Sequence, residues 1–267
     1  MKIRPGIELA NLTDVGCERT HNEDNYSYAE PEDDAEWLKR GRLVVVADGM
    51  GGQAGGQIAS TLAVDAVREV FLNGPAEDPP AALVAAYQSA HGAIQQYVRE
   101  HPELAGMGTT CTAAILHDGQ LTYGQVGDSR LYLLRSDTIV QLTRDQSYVQ
   151  QMVDSGVISA EEAQTHPSRN ILTSALGSDS TVKADFAEAP IPLQARDILL
   201  LCTDGLHGLV SDAEMLAASS QNSPREACRK LVDLAKERGG PDNITIQIVR
   251  IDGTAAAQTE PTTAVEG

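Results

Sequence analysis

Apolar positions along this chain fall into runs of strand length and stripes of helical spacing. Residues 7–12 read as a first strand, and the alternation Tyr26-Ser27-Tyr28 as a short second one. Residues 43–47 (Leu43, Val44, Val45, Val46, Ala47) are apolar throughout, the pattern of a strand covered on both faces. The run ends in Asp48-Gly49-Met50-Gly51-Gly52, whose glycines let the backbone turn sharply and approach whatever Asp48 holds. The pattern returns as Ile198-Leu199-Leu200-Leu201-Cys202-Thr203-Asp204-Gly205, which suggests one floor carrying two converging carboxylates. After the first of these strands, Ile58, Leu62, Ala63, Ala66, Val67 and Val70 repeat at helical spacing. Asp78 and Pro79 open a second helix, with Leu83, Tyr87, Ala90, Ile94 and Tyr97 as its buried stripe and an end near His101-Pro102.

Gly108-Thr109-Thr110 then leads into four strands, at 111–116, 120–126, 130–134 and 138–142, separated by turn signals. This spacing predicts an antiparallel meander. A small helical section follows at 147–154 and 160–165, where Gly156 stops the first helix and Ser159 with Glu162 forms a capping box for the second. Residues 182–187, 198–202 and 244–251 are strands. Ser211 with Glu214 and Ser223 with Glu226 are further capping boxes, the latter opening a helix that Gly239-Gly240 ends. The acidic residues 30–36 read as a surface loop, and residues 252–267, rich in Thr, Ala and Glu, as a disordered tail. Helix pairs among antiparallel strands predict an α+β domain over residues 1–251, two sheets facing each other with helices outside.

Charge narrows the partners. The formal net charge of −18 over 267 residues argues against nucleic acid or an anionic membrane surface, both of which demand a basic face. No stretch approaches the ~18 apolar residues of a membrane span, and the N-terminus lacks the apolar core of a leader, so a cytoplasmic protein is expected. Cys17, Cys111, Cys202 and Cys228 are widely spaced; Cys111 and Cys202 sit in apolar runs and read as buried reduced thiols. None is followed by an Arg six positions on, so a cysteine-nucleophile phosphatase loop is absent.

Acidic residues stand beside glycine, asparagine or a strand end at five places: Glu23-Asp24, Asp48-Gly49, Gly127-Asp128-Ser129, Asp204-Gly205 and Asp242-Asn243. Any one of them taken singly is a turn or cap residue. Gathered together they would repel strongly unless cations offset them. An all-oxygen donor set with no His or Cys ligand pattern suits Mg²⁺ or Mn²⁺ rather than zinc.

The order of these motifs carries a resemblance. Arg19-Thr20-His21-Asn22-Glu23-Asp24, Val46-Ala47-Asp48-Gly49-Met50-Gly51-Gly52, Gly108-Thr109-Thr110, Val126-Gly127-Asp128-Ser129-Arg130, Thr203-Asp204-Gly205-Leu206 and Asp242-Asn243-Ile244-Thr245 occur in that sequence. Over residues 6 to 251 the chain resembles the metal-dependent protein phosphatases of type 2C, in their bacterial branch. The resemblance implies a four-layer αββα sandwich of two antiparallel sheets flanked by helix pairs. It also implies hydrolysis of phosphoserine and phosphothreonine proteins by water or hydroxide held between two Mg²⁺ or Mn²⁺ ions, in opposition to a Ser/Thr kinase, by a monomer. Asp48 would bridge the ions, Asp204 and Asp242 complete one shell, and Glu23 and the Gly49 carbonyl serve the other. Asp24 would support from behind, Arg19 would hold the substrate phosphate, and Asp128 with Asp204 would take a third, weaker ion. Residues 143–177 resemble the family's mobile flap.

Some positions depart from the family. Met50 stands where many members have a His that protonates the leaving oxygen; Gln53, Gln57 and Gln146 replace a His, a Glu and a His of bacterial relatives. The general acid is thus unassigned, with metal-bound water as the substitute. His207 follows Asp204 by three residues but reads, like His21 and His166, as a solvated loop histidine. Two other readings compete. Gly49-Met50-Gly51-Gly52-Gln53-Ala54 fits a dinucleotide-binding glycine template, although Asp48 would face the pyrophosphate and the parallel βαβ order is missing. A phosphatase-like regulatory module with a dead metal site is the non-enzyme reading, and the presence of every expected acid weighs against it.

Overall fold

A strand that is apolar on both faces needs cover on two sides, and the arrangement that supplies it here is a stack of layers. The structure, a computed structural model, describes residues 3–51, 55–74, 78–178 and 182–252. The first half comprises β1 (Ile7–Asp14), β2 (Asn25–Ala29), α1 (Asp34–Arg40), β3 (Arg42–Ala47), β4 (Gly49–Met50), α2 (Gly55–Asn73) and α3 (Pro79–Glu100). Then come β5 (Gly108–Thr109), β6 (Cys111–His117), β7 (Gln120–Val126), β8 (Arg130–Arg135), β9 (Thr138–Gln141), α4 (Tyr148–Asp154) and α5 (Ala160–Thr165). The last part holds β10 (Asp185–Phe186), β11 (Ile191–Pro192), β12 (Ile198–Cys202), α6 (Asp204–His207), α7 (Asp212–Gln221), α8 (Pro224–Glu237) and β13 (Ile244–Ile251).

One sheet runs β1-β13-β12-β8-β9 and the other β10-β7-β6-β3-β2, with β11 also on β7; every pairing is antiparallel. Alternation along β3 splits its burial between two cores. Leu43, Val45 and Ala47 pack with Ala59, Ala63 and Val67 of α2 and with Leu83 and Ile94 of α3. Val44 and Val46 point the other way, into a core shared with Leu199 and Leu201 of β12, Leu131 of β8 and Val249 of β13. In turn Ile198, Leu200 and Cys202 face Met215 of α7 and Ala227, Leu231 and Ala235 of α8. Three apolar cores between four layers give the expected αββα sandwich.

Several expectations change. The two Asp-Gly strands do not share one floor: β3 and β12 belong to facing sheets. Nor is there a single meander, because β6 and β7 form a hairpin in one sheet while β8 and β9 form one in the other. Gly127-Asp128-Ser129 carries the chain across, and Gly127 (φ +95°) has no room for a side chain beside Thr110. The acidic stretch is partly helical: Asp33 accepts from the Ala35 and Glu36 N–H groups and caps α1. Glu30 is buried, bonded to Tyr28 and ion-paired with Arg42. Of residues 182–187 only Asp185–Phe186 pair as a strand, and the predicted tail from 253 on lies outside the described residues. The antiparallel pairing excludes the dinucleotide-binding reading. All four cysteines are free thiols, with Cys111, Cys202 and Cys228 buried and Cys17 exposed.

The inter-sheet core sets a test of the layering. Leu201→Ala, which leaves a cavity between the sheets, should lower unfolding free energy by about 2–5 kcal/mol in urea titration. A surface-like effect within about 0.5 kcal/mol would contradict that placement.

Candidate metal centre

Antiparallel pairing decides which chain ends meet. Asn25 pairs with Ala47, so Glu23 and Asp24, just ahead of β2, arrive beside Asp48, just after β3. In the facing sheet Cys202 pairs with Ile246, which sets Asp204 after β12 next to Asp242 before β13. Asp128 lies where β7 ends and the chain crosses between sheets. All five clusters found in the sequence therefore stand at one end of the sandwich.

The backbone around them is tightly tied. The Asp48 N–H donates to Thr110 Oγ1 at 2.8 Å, while its carbonyl accepts from the Thr110 N–H at 2.9 Å and from Thr109 Oγ1 at 2.8 Å. Thr110 and Ser129 hydroxyls bond at 2.7 Å, joining this clamp to the sheet crossover. Gly49 packs so closely on the start of α2 that an added Cβ would fall 2.1 Å from the Gly56 carbonyl oxygen. Asn243 holds the opposite side. It accepts from the Glu23 N–H at 2.8 Å and donates to the Val15 and His21 carbonyls, each at 3.0 Å. Thr109, Thr110, Ser129 and Asn243 stood in the sequence motifs without a role. Their function as backbone clamps depends on contacts far apart in the chain.

An open cavity of about 800 Å³ is lined by Arg19, His21, Glu23, Asp48, Gly49, Met50, Asp128, Asp204 and Asp242. Asn170 and residues 172–175 of the predicted flap form another part of its wall. They are anchored by backbone bonds in both directions between Thr109 and Leu176. Asp24 does not line the cavity; it is buried behind, accepting from Thr203 Oγ1 at 2.8 Å.

The carboxyl groups push on one another. Burial, then the charges of Asp24, Asp204, Asp128 and Asp242, hold Asp48 well above the usual carboxylate range. Burial and Asp204 do the same to Asp128. Asp204 is raised by burial and by Asp242, and Asp24 is pushed up to about 7 by burial against the pull of the Thr245 and Thr203 hydroxyls. Among the described residues no three carboxylates close into a preformed cage. The donor set nevertheless fits hard cations: it is all oxygen, and Asp24 Oδ1 and Asp204 Oδ1 are buried with no hydrogen-bond partner.

Arg19 and the histidines take distinct positions around these acids. Arg19, half-exposed, is ion-paired with Asp242 at 2.8 Å. His207 is not a solvated loop residue: it ends α6 and its Nε2 bonds the Asp128 carbonyl at 3.0 Å, and burial pushes its pKa down to about 3. His21 is exposed at the cavity rim, bonded to Thr20 Oγ1, and His166 caps α5 away from the cavity lining. Met50 reaches the cavity with an apolar side chain. Gln146 accepts from the Gly127 N–H and donates to the Lys183 carbonyl and Asp185, bracing the crossover. Gln57 is exposed on α2, and Gln53 lies outside the described residues.

With this geometry in view, comparison with known proteins is decisive. The Protein phosphatase 2C family profile matches residues 19–237. The chain belongs to that family. It is 38% identical over 257 residues to the Mycobacterium tuberculosis serine/threonine protein phosphatase PstP, covering 96% of this chain and 47% of that protein. It thus spans about half the length of that relative. To the Listeria innocua serine/threonine phosphatase stp it is 40% identical over 242 residues, covering 89% of this chain and 93% of that one. The crystal structure of M. tuberculosis PstP/Ppp overlays on this phosphatase 2C fold with a TM-score of 0.83 at 36% identity, over 92% and 99% of the two chains. The PstP catalytic domain in complex with two manganese ions overlays at 0.79 with 34% identity, over 92% and 99%.

The crowded acids set the sign of a pH effect. Their folded-state pKa values lie above the unfolded ones, so the stability they contribute is present in acid and lost as pH rises through the folded values, which for Asp24 is about 7. In EDTA the melting temperature should therefore fall between about pH 5 and pH 8. Added Mn²⁺ should raise it more at the higher pH, read by calorimetry. A Mn²⁺ effect larger in acid would contradict this.

Proposed function

We propose that this chain is a metal-dependent protein serine/threonine phosphatase. The observation that carries the reading is the convergence of Asp48 and Asp204 from facing sheets, with unsatisfied buried oxygens on Asp204 and Asp24. Asp48 would be shared by two Mg²⁺ or Mn²⁺ ions. Asp204 and Asp242 would complete the shell of one, and Glu23 with the Gly49 carbonyl that of the other. Asp128 with Asp204 would take a third, weaker ion. Bound, such ions supply a nucleophilic water at neutral pH and clamp the attacking and leaving oxygens of an in-line displacement.

The chain's own residues do the rest. Thr109 and Thr110 fix the Asp48 backbone so that its carboxyl needs no reorganisation. Arg19 exchanges its Asp242 partner for the substrate phosphate, whose two oxygens fit the guanidinium fork. With Met50 apolar and His207 turned to the Asp128 carbonyl, no side chain is assigned as general acid, and water in the open cavity gives its proton to the leaving seryl or threonyl oxygen. Phosphoserine and phosphothreonine proteins are the substrates, with a Ser/Thr kinase as the opposing activity. A monomer in the cytoplasm, independent of nucleic acid and membrane, fits the net charge of −18. In support, no helix among the described residues is long and apolar enough to cross a membrane.

Release of phosphate from a phosphothreonine peptide tests the reading. It should require Mn²⁺ or Mg²⁺, stop with EDTA, and be abolished by Asp48→Asn. Activity persisting in EDTA would contradict the two-ion mechanism; no activity with any divalent ion would favour a regulatory module.

A further inference from the structure

Most of the space between the facing sheets is apolar, but beneath the metal cavity it is polar. Thr203 lies there, fully buried, at the N-cap position of α6. A threonine at an N-cap ordinarily accepts from a first-turn N–H of its own helix. Here it makes no such bond. Its Oγ1 instead accepts from the Thr245 N–H at 3.0 Å, which leaves its hydrogen to be donated, and the acceptor is Asp24 Oδ2 at 2.8 Å. The Thr203 N–H is tied in turn to the Thr245 carbonyl at 3.1 Å, so β13 holds the residue from both sides.

The same seam grips Asp24 from its own loop. The Asp24 N–H donates to Asn22 Oδ1 at 3.1 Å, and Asn22 Nδ2 donates to Thr13 Oγ1 at 2.8 Å. Thr13 is bonded to the Thr245 hydroxyl at 2.7 Å, which closes the network back onto β13. One carboxylate oxygen of Asp24 is thereby engaged and the other, Oδ1, is buried with no partner. Asp24 directly follows Glu23 in the chain and is buried behind the cavity that Glu23 and Asp48 line. We infer that Thr203 is a positioning residue: by holding Asp24 Oδ2 from the opposite sheet, it keeps Oδ1 free for the cation site built around Asp48. The inference rests on the phosphatase reading.

The test compares Thr203→Val, Thr203→Ala and Thr203→Ser with wild type and with Asp24→Asn. Two readouts are taken: Mn²⁺ affinity by electron paramagnetic resonance titration, and kcat and KM on a phosphothreonine peptide at saturating Mn²⁺. Removing the hydroxyl should lower Mn²⁺ affinity or kcat by about 10- to 100-fold. KM for the peptide should stay unchanged. Thr203→Ser should restore the loss, and Thr203→Val should add nothing on the Asp24→Asn background. Alanine repeats the comparison should valine fail to fold. Wild-type affinity and kcat in both hydroxyl-free variants, failure of serine to rescue, or full additivity with Asp24→Asn would overturn the role. A wild type with no metal-dependent activity would instead overturn the phosphatase reading beneath it.

Discussion

Carboxylates brought from two facing sheets into one poorly solvated place repel each other, and the rest of this structure is arranged to hold them there. Asp48 enters from the sheet packed on α2 and α3, and Asp204 and Asp242 from the sheet packed on α7 and α8. Without positive charge the groups respond by holding protons, as the raised values of Asp48, Asp128, Asp204 and Asp24 express. Cations relieve the same repulsion while leaving the oxygens free to coordinate. The three apolar cores supply the stability against which this local penalty is set.

The two-sided burial of β3 and β12 links the site to the fold. A strand covered on one face only could deliver a carboxylate to a surface turn. Because Val44, Val46, Leu199 and Leu201 pack against one another between the sheets, the strand ends that follow them are fixed relative to each other. The clamps of Thr109, Thr110 and Asn243 then remove the remaining backbone freedom. A site made this way is preorganised by the sandwich rather than by any one loop.

The layered α+β architecture and the acids were legible because each has a local signature, apolar runs ending in Asp-Gly and capping residues such as Asp78, Ser159 and Ser223. What stayed hidden depends on partners distant in the chain. Nothing local says that the strands on either side of Asp128 belong to different sheets, since the turn there looks like any hairpin turn. The burial of Glu30 follows from Arg42 and Tyr28, which turn an acidic stretch into a folded one. His207 looked like a solvated residue because its acceptor, the Asp128 carbonyl, lies in another element. Thr203 stood in its motif without a role for the same reason: its partner Asp24 comes from the opposite sheet.

The central claim is that this convergence exists to hold divalent cations, with Asp48 shared between two of them. Anomalous scattering at the manganese edge, from crystals grown with Mn²⁺, measures it most directly. The account predicts two strong peaks in the cavity, one among Asp48, Asp204 and Asp242, the other among Asp48, Glu23 and the Gly49 carbonyl. A cavity without anomalous density, or ions bound only away from Asp48, would contradict it.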